Sequence, residues 1–211
     1  MPSRSHPSRG RRTSRPSGDD REVAILATAE RLLGERPLRE ISVDDLAKGA
    51  GISRPTFYFY FPSKDAVMLT LLDRVLAEVE IAIDGLDAEL PLDPPRFWRR
   101  AISAFFDVFG SHPWVAPAGA AALATKPEFR EVWLPLMQKW IDQTAALISA
   151  ERARGAAPDS IPAQDLAISL NLMNERALLA VFMAEQPHLD GDHVVDTLTH
   201  IWLTSIYGTA T

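Results

Sequence analysis

Residues 42–64 combine basic, hydroxyl and aromatic side chains in a way that suits contact with DNA. A guanidinium group can pair with the O6 and N7 atoms of guanine, and lysine or tyrosine can contact phosphate oxygens. The candidate DNA contacts of this segment are Ser42, Lys48, Ser53, Arg54, Thr56, Phe57, Tyr58, Tyr60 and Lys64. We therefore predict a surface that binds double-stranded DNA.

The candidates differ in the role that their chemistry permits. Arg54 is the first candidate for contact with a base edge, and Thr56 suits a thymine methyl group or a phosphate. Phosphate contacts are expected from Ser42, Lys48, Tyr58, Tyr60 and Lys64. Ser53 is more simply interpreted as a helix cap, and Phe57, like Phe61, as part of the core. For any single polar residue the alternative is a solvated or capping role.

Two short helices are needed to hold these side chains in place. Ser42 suits the N-cap of the first, with Asp45 as its capping-box partner three residues later. Gly51 supplies the positive φ of a tight turn, and Ser53 caps the second helix. This pattern predicts a helix-turn-helix over about residues 42–61, although corners between helices that bind no DNA can carry the same residues.

A second set of candidates lies beyond residue 97, where large apolar side chains recur at helical spacing. These candidates are Trp98, Ile102, Phe105, Phe109, Trp133, Met137, Trp140, Thr144, Asn171, Asn174 and Trp202. Asn171 and Asn174, three residues apart on an otherwise apolar helix, point two amides to one side. Aromatic walls with a few polar groups are typical of a cavity for a lipophilic ligand, although aromatic stripes belong more often to an ordinary core.

Helical periodicity and helix-breaking residues predict an all-α chain of about nine helices. Residues 1–18 are expected to form a disordered basic arm, which adds either attraction to DNA or only solubility. The arm carries Arg9, Arg11, Arg12 and Arg15. Residues 19–65 form the predicted helix-turn-helix domain, and a helix over 63–85 joins it to a body of residues 66–211. Later helices are expected near residues 95–111, 113–126, 128–155, 163–185 and 192–207.

The formal net charge is -6, yet its distribution favours DNA binding at one end. Residues 1–64 hold twelve Lys and Arg against eight Asp and Glu, and the remainder holds ten against twenty. Attraction to phosphate is therefore expected from the N-terminal end. A disordered basic tail on any soluble protein would give the same asymmetry.

The composition and the motifs also argue against several classes of protein. There is no cysteine, no long apolar run and no apolar stretch after the N-terminal arginines. We therefore expect no disulfide, no membrane span and no signal peptide. We expect a cytoplasmic location. The five histidines lack metal-binding spacing, and no nucleophile or phosphate-loop motif occurs, so we expect neither catalysis nor a cofactor.

The last two predicted helices are apolar on more than one face. The side chains concerned are Leu166, Leu170, Leu178, Val181, Phe182, Val194, Leu198, Ile201 and Trp202. A helix that is apolar nearly all round is buried from two sides. One side faces the core of its own chain, and we predict that the other pairs with a second copy to form a homodimer.

The run from Ile41 to Lys64 resembles the DNA-binding segment of the TetR family, with Leu-Ala, Ala-Gly-Ile-Ser and Tyr-x-Tyr-Phe-Pro-Ser-Lys in fixed register. Similarity to one member of that family extends over nearly the whole chain. It is carried by residues 15–22, 137–141, 170–176, 200–202 and 204–208. The resemblance implies a TetR-like fold with a helical body that binds effectors.

The resemblance further implies a homodimer on a palindromic operator, with repression released by a lipophilic small molecule in a long apolar tunnel. It also implies a neighbouring flavin monooxygenase gene as the target. The chain departs from that member over residues 84–95 and 113–129, and it has Gln143 where the family pattern leads us to expect Tyr. These differences concern the shape of the tunnel and the choice of effector. The alternatives are a DNA-binding protein without an effector and a helical enzyme that processes small molecules.

Overall fold

A computed structural model describes residues 18–208, whose regular structure is helical without a strand, as predicted. The helices are α1 (Gly18–Leu33), α2 (Val43–Gly49), α3 (Arg54–Tyr60), α4 (Lys64–Ile83), α5 (Pro94–Ser111), α6 (Val115–Thr125), α7 (Pro127–Ala153), α8 (Ala163–Phe182) and α9 (Gly191–Tyr207). Short 3-10 helices lie over Leu38–Glu40 and Leu86–Glu89. None of the described helices is both long and apolar enough to cross a membrane. The predicted arm, with the four arginines named above, lies outside the described residues, except for Gly18, which begins α1.

Side-chain caps and backbone conformation set the helix ends, mostly near the predicted positions. Ser63 caps α4, because its hydroxyl accepts a hydrogen bond from the Ala66 amide at 3.1 Å. The prediction of a helix up to residue 185 is wrong, since α8 ends at Phe182. Ala184 adopts a left-handed φ of 48°, which a continuous right-handed helix does not allow.

The helices form two packed units that share one long helix. Helices α1–α3, here called the head, pack around Ile25, Leu46 and Phe57 and contact α4 through α1. Helices α5–α9, here called the body, pair α7 with α8 and α5 with α9. The shared helix α4 also packs against α5 and α6 of the body. Helix α4 therefore contacts both the head and the body.

The body also contacts the head at the turn between α5 and α6. His112 Nδ1 lies 2.6 Å from Glu30 Oε1 of α1, and His112 Nε2 lies 3.2 Å from Glu78 Oε2 of α4. The Trp114 indole packs on Gly34 just after α1, where an added Cβ would lie 2.7 Å from Trp114 Nε1. This turn thus joins the end of α5 to both α1 and α4.

Candidate DNA-binding surface and internal cavity

Helix α2 begins with the predicted capping box. Ser42 Oγ accepts a hydrogen bond from the Asp45 amide at 3.1 Å, and the Asp45 carboxylate accepts one from the Ser42 amide at 2.9 Å. Hydrogen bonds from Ser42, followed by the charge of Arg36, lower the pKa of the Asp45 carboxyl. Ser42 is therefore a structural cap, and its contact with phosphate stays a prediction.

The turn between α2 and α3 depends on two glycines. Gly51 adopts the predicted positive φ, at 68°, and the next amide, that of Ile52, donates to the Ala47 carbonyl at 2.9 Å. Gly49 was not predicted to matter here, yet a Cβ added to it would lie only 2.3 Å from Thr28 Cγ2 of α1. Gly49 therefore permits the close approach of α1 and α2.

Helix α3 divides its predicted DNA contacts between surface and core. Ser53 Oγ accepts from the Thr56 amide at 3.3 Å, so Ser53 has the capping role that its position favours. The assignment of Phe57 to the DNA contacts is wrong, because its side chain is fully buried. Its interpretation as core is confirmed, and so is that of Phe61, whose ring packs 6.1 Å from that of Phe57.

The exposed face of α3 presents a positioned arginine and aromatic rings. Arg54 Nη1 donates to Asp44 Oδ2 of α2 at 2.9 Å, and its guanidinium carbon lies 5.8 Å from the centre of the Tyr58 ring. The Tyr58 hydroxyl and the Asp44 carboxylate raise the pKa of Arg54. Phe59, which sequence analysis did not select, is 83% exposed on this helix. The head thus presents a cation, hydroxyl groups and one apolar ring to a partner.

Lys64 has a role that sequence analysis missed. Its ammonium group donates to three carbonyl oxygens, those of Leu38, Arg39 and Ile41, at 2.7, 3.1 and 2.7 Å. Lys64 thereby ties the start of α4 to the segment that precedes α2. Lys48, in contrast, is exposed in the last turn of α2. A phosphate contact by either lysine stays a prediction.

Two adjoining cavities are lined by α4 and by helices of the body. The apolar chamber, of about 110 Å³, is lined by Leu72, Phe105, Phe109, Ala116, Gly119, Ala120, Leu123, Trp133, Met137, Trp140, Asn171, Asn174, Glu175, Leu178, Leu179 and Phe182. The charged chamber, of about 540 Å³, is lined by Glu80, Ile83, Asp84, Gly85, Leu86, Asp87, Phe97, Trp98, Ala101, Ile102, Phe105, Lys139, Trp140, Gln143, Thr144, Ala146, Leu147, Asn171, Asn174 and Trp202. All eleven predicted ligand-facing residues line one chamber or both, although their contact with a ligand stays a prediction.

The two chambers meet at a polar junction. Asn171 Nδ2 donates to Thr144 Oγ1 at 3.1 Å, and Trp202 Nε1 donates to Asn174 Oδ1 at 2.9 Å. These bonds orient both amides, and among the described residues they leave the Asn171 oxygen and the Asn174 NH₂ group for another partner. The junction can therefore both donate to and accept from a ligand.

A buried polar network fixes one wall of the charged chamber. Trp98 Nε1 donates to the Tyr207 hydroxyl at 3.1 Å, and that hydroxyl donates to Glu151 Oε2 at 2.8 Å. Arg154 contributes two hydrogen bonds of 2.6 Å to the Glu151 carboxylate. Burial, with the Glu151 charge beside it, raises the pKa of Tyr207, so this hydroxyl stays protonated. The Trp98 ring is consequently held in one orientation.

The cavity walls contributed by α4 and α6 were not predicted from the sequence. Leu72 of α4 and the small residues Ala116, Gly119 and Ala120 of α6 line the apolar chamber. Small side chains carry no aromatic pattern, so their sequence gives no sign that they face a cavity. Glu175 was also not predicted to line the cavity. Its position directly after Asn174, on an apolar helix face, could have indicated this.

Two family models match the chain. One describes bacterial regulatory proteins of the tetR family and matches residues 25–71, and the other describes the C-terminal domain of the transcriptional regulator EthR and matches residues 98–208. The first covers α2 and α3, and the second covers most of the body.

Named relatives and solved structures agree with these matches. The HTH-type transcriptional regulator EthR of Mycolicibacterium smegmatis is 64% identical over 201 residues, covering 95% of this chain and 93% of the relative. EthR of Mycobacterium tuberculosis is 64% identical over 202 residues, with the same coverage of both chains. A putative TetR-family regulator from Syntrophomonas wolfei has a similar fold, with a TM-score of 0.71, 14% identity and coverage of 90% of this chain and 96% of that chain. These relatives are named as regulators of transcription, not as enzymes.

Proposed function

This chain belongs to the TetR family of bacterial transcriptional regulators, and we propose that it is a ligand-responsive repressor acting as a homodimer on a palindromic operator. The observation that carries this proposal is helix α4. It contacts the head through α1, and its residues line both chambers of the body. A ligand in either chamber therefore touches the helix that positions the DNA-binding surface.

In the DNA complex, α3 of each copy enters the major groove, with the two grooves about one helical turn, roughly 34 Å, apart. Arg54 makes the base-edge contact, and the ion pair with Asp44 holds its guanidinium near the start of α3 before DNA binds. Lys48, Tyr58 and Tyr60 contact phosphates. Arg54 recognises a guanine, and the phosphate contacts of the other side chains fix the position of α3 along the DNA.

The dimer forms through α8 and α9. Ile168 and Leu172 of α8 are 36% and 48% exposed, and Met183, directly after the helix, is 43% exposed, although α8 also buries Leu166 and Leu170 in its own core. An apolar row left exposed beside a buried face supports pairing with a second copy. Size-exclusion chromatography tests this step: a monomer with intact helices contradicts it.

The effector is a lipophilic small molecule that fills the two chambers. Leu72 lies in the wall of the apolar chamber, and Glu80 and Ile83, farther along α4, lie in the wall of the charged chamber. A ligand that fits a displaced position of α4 better than the DNA-bound position changes the separation of the two heads. Only this difference in affinity releases the operator.

The target gene is proposed from the similarity to EthR alone, as a neighbouring flavin monooxygenase gene. Footprinting of the purified protein on the DNA upstream of its own gene tests the operator. Protection of a palindromic site is the expected result. No protection on either side of the gene contradicts repression at this locus.

Arg54→Ala tests the reading of base edges. We expect a loss of about 1–3 kcal/mol in operator binding, concentrated on the preferred sequence, together with relaxed preference at one base position. Binding is measured by fluorescence anisotropy on the operator and on single-base variants. An equal loss on every sequence removes Arg54 from base reading.

Two lysines separate phosphate contact from structural support. Lys48→Ala is expected to weaken binding to all sequences and to lower the slope of log affinity against log salt by about one, with no change in stability. Lys64→Ala is expected to lower the free energy of unfolding by about 1–3 kcal/mol, because three carbonyl oxygens lose a charged donor. If Lys64→Ala lowers the salt slope but leaves unfolding unchanged, its role is phosphate contact instead.

Ligand release has its own test. A thermal-shift screen with hydrophobic ketones and esters should identify compounds that stabilise the dimer, and these should lower operator affinity. A compound that saturates the protein and leaves operator affinity unchanged contradicts the mechanism. If no compound in the screen stabilises the dimer, a DNA-binding protein without an effector is favoured.

A further inference from the structure

The apolar chamber contains one ionisable side chain, Glu175 of α8. Burial raises the pKa of its carboxyl group, and a hydrogen bond from Trp133 partly opposes that effect. Among the described residues that line this chamber there is no Lys, Arg or His to pair with Glu175. A carboxylate in an apolar cavity is costly unless an opposite charge joins it.

The rings around this chamber stand at right angles to one another. The Phe105 and Trp140 rings lie 4.8 Å apart with an interplanar angle of 87°, and the Trp133 and Trp140 rings lie 6.1 Å apart at 84°. The Phe105, Trp133 and Trp140 rings, which lie in different planes, all line the apolar chamber. Such a box attracts organic cations, above all when the site is shielded from water.

The neighbouring chamber has the same electrostatic preference. Its charged lining residues are Glu80, Asp84, Asp87 and Lys139, and the Lys139 ammonium is paired with Glu80. Two carboxylates therefore remain without a counter-charge within this lining. A negative potential in a cleft favours the entry of cations over anions.

We propose that the cavity selects ligands that carry a basic nitrogen, with Glu175 as the counter-charge and the Phe105, Trp133 and Trp140 rings as the walls around the cation. The ligand class is a lipophilic amine, whose apolar part occupies the rest of the two chambers. This inference rests on the proposed effector role of the cavity and specifies its chemistry. It assigns Glu175 a direct contact with the ligand.

A matched pair of probes tests the charge preference on the full-length dimer. We would measure the binding of 4-phenylbutylamine and of 4-phenylbutan-1-ol by isothermal titration calorimetry. Both have the same apolar part, but only the amine is charged at neutral pH. The wild type is expected to bind the amine more tightly, and Glu175→Gln should weaken amine binding by on the order of tenfold or more while changing alcohol binding less than about twofold.

Two readouts separate a charge effect from a loss of shape. Glu131→Gln, which removes an exposed carboxylate of α7, should leave the binding of both probes unchanged. Amine affinity should also rise as pH increases through the pKa of Glu175, whereas alcohol affinity stays flat. Equal binding of both probes, or an equal effect of Glu175→Gln on both, overturns the charge inference and leaves the effector role standing. If neither probe binds, the charge inference is overturned, and the thermal-shift screen alone decides the effector role of the cavity.

Discussion

The head and the body position their polar groups differently, the head through hydrogen bonds between residues close in sequence and the body through hydrogen bonds between distant residues. In the head, the hydrogen bonds that set up α2 and α3 join residues three apart, Ser42 with Asp45 and Ser53 with Thr56. In the body, the bond between Trp98 and Tyr207 spans 109 positions of the chain. The functional surface of the head is thus built locally, and that of the body depends on tertiary packing.

This difference determines how far stability and function can be separated. The head keeps its core beneath α3 and its candidate contacts on the outside, so a substitution can affect one without the other. In the body, Trp98 and Ile102 are both almost fully buried and part of a chamber wall. A change there alters packing and ligand contact together.

Phe57 and Phe59, two residues apart on α3, give the sharpest test of that separation. Phe57→Ala removes a fully buried ring and is expected to lower the free energy of unfolding by about 3–5 kcal/mol. Phe59→Ala removes an exposed ring, so stability should stay within about 0.5 kcal/mol while operator binding weakens. Urea unfolding and operator titration of both variants provide the measurements. If Phe59→Ala destabilises as much as Phe57→Ala does, surface and core are not separable in the head.

Local signals explain why the head was predicted well from sequence. The caps at Ser42 and Ser53 and the positive φ at Gly51 follow from residue type and spacing over a few positions. The tie made by Lys64 was out of reach, because its carbonyl partners belong to a segment more than twenty positions earlier. The same holds for Gly49, whose requirement depends on α1.

The cavity was predicted in part for a related reason. Helical spacing of Trp and Phe residues shows which face of a helix is apolar, and every side chain chosen in this way lines a chamber. It does not show which helices face one another. The walls made by Leu72 of α4 and Gly119 of α6 follow only from the packed structure.

A second pair of variants compares glycines in the head and the body. In Gly49→Ala the new Cβ would lie 2.3 Å from Thr28 Cγ2, so we expect a loss of about 1–3 kcal/mol in the free energy of unfolding. In Gly119→Ala the nearest atom would be Leu72 Cδ1 at 3.8 Å, an ordinary contact. Alanine also favours the helix by up to about 1 kcal/mol, so the second variant should be as stable as the wild type or more stable.

The two glycine variants should also differ in ligand affinity. The methyl group of Gly119→Ala enters the wall of the apolar chamber and should reduce ligand affinity without loss of stability, as calorimetry and thermal unfolding would reveal. Gly49→Ala lies in the head and should leave ligand affinity unchanged under conditions where the protein is folded. A destabilised Gly119→Ala variant would mean that α6 and α4 are packed as tightly as α1 and α2.

The contact between head and body should make stability depend on pH through His112. Burial of the imidazole lowers its pKa, but the hydrogen bonds to Glu30 and Glu78 outweigh this effect, so the pKa is raised overall. The folded protein therefore holds this proton more tightly than the unfolded chain. The resulting stabilisation is complete below the unfolded pKa, near 6.5, and is lost as pH rises through the folded pKa.

We therefore expect the stability difference between the wild type and His112→Gln to be larger at pH 6 than at pH 8.5, as measured by urea unfolding of the dimer. His193→Gln, which removes an exposed imidazole at the start of α9 and away from this contact, is the control variant. The effect is expected to be smaller than that of Phe57→Ala or Gly49→Ala, because His112 is partly exposed. A constant difference across this range would mean that packing of the α5–α6 turn, through Trp114 on Gly34, joins the body to the head without help from the His112 charge.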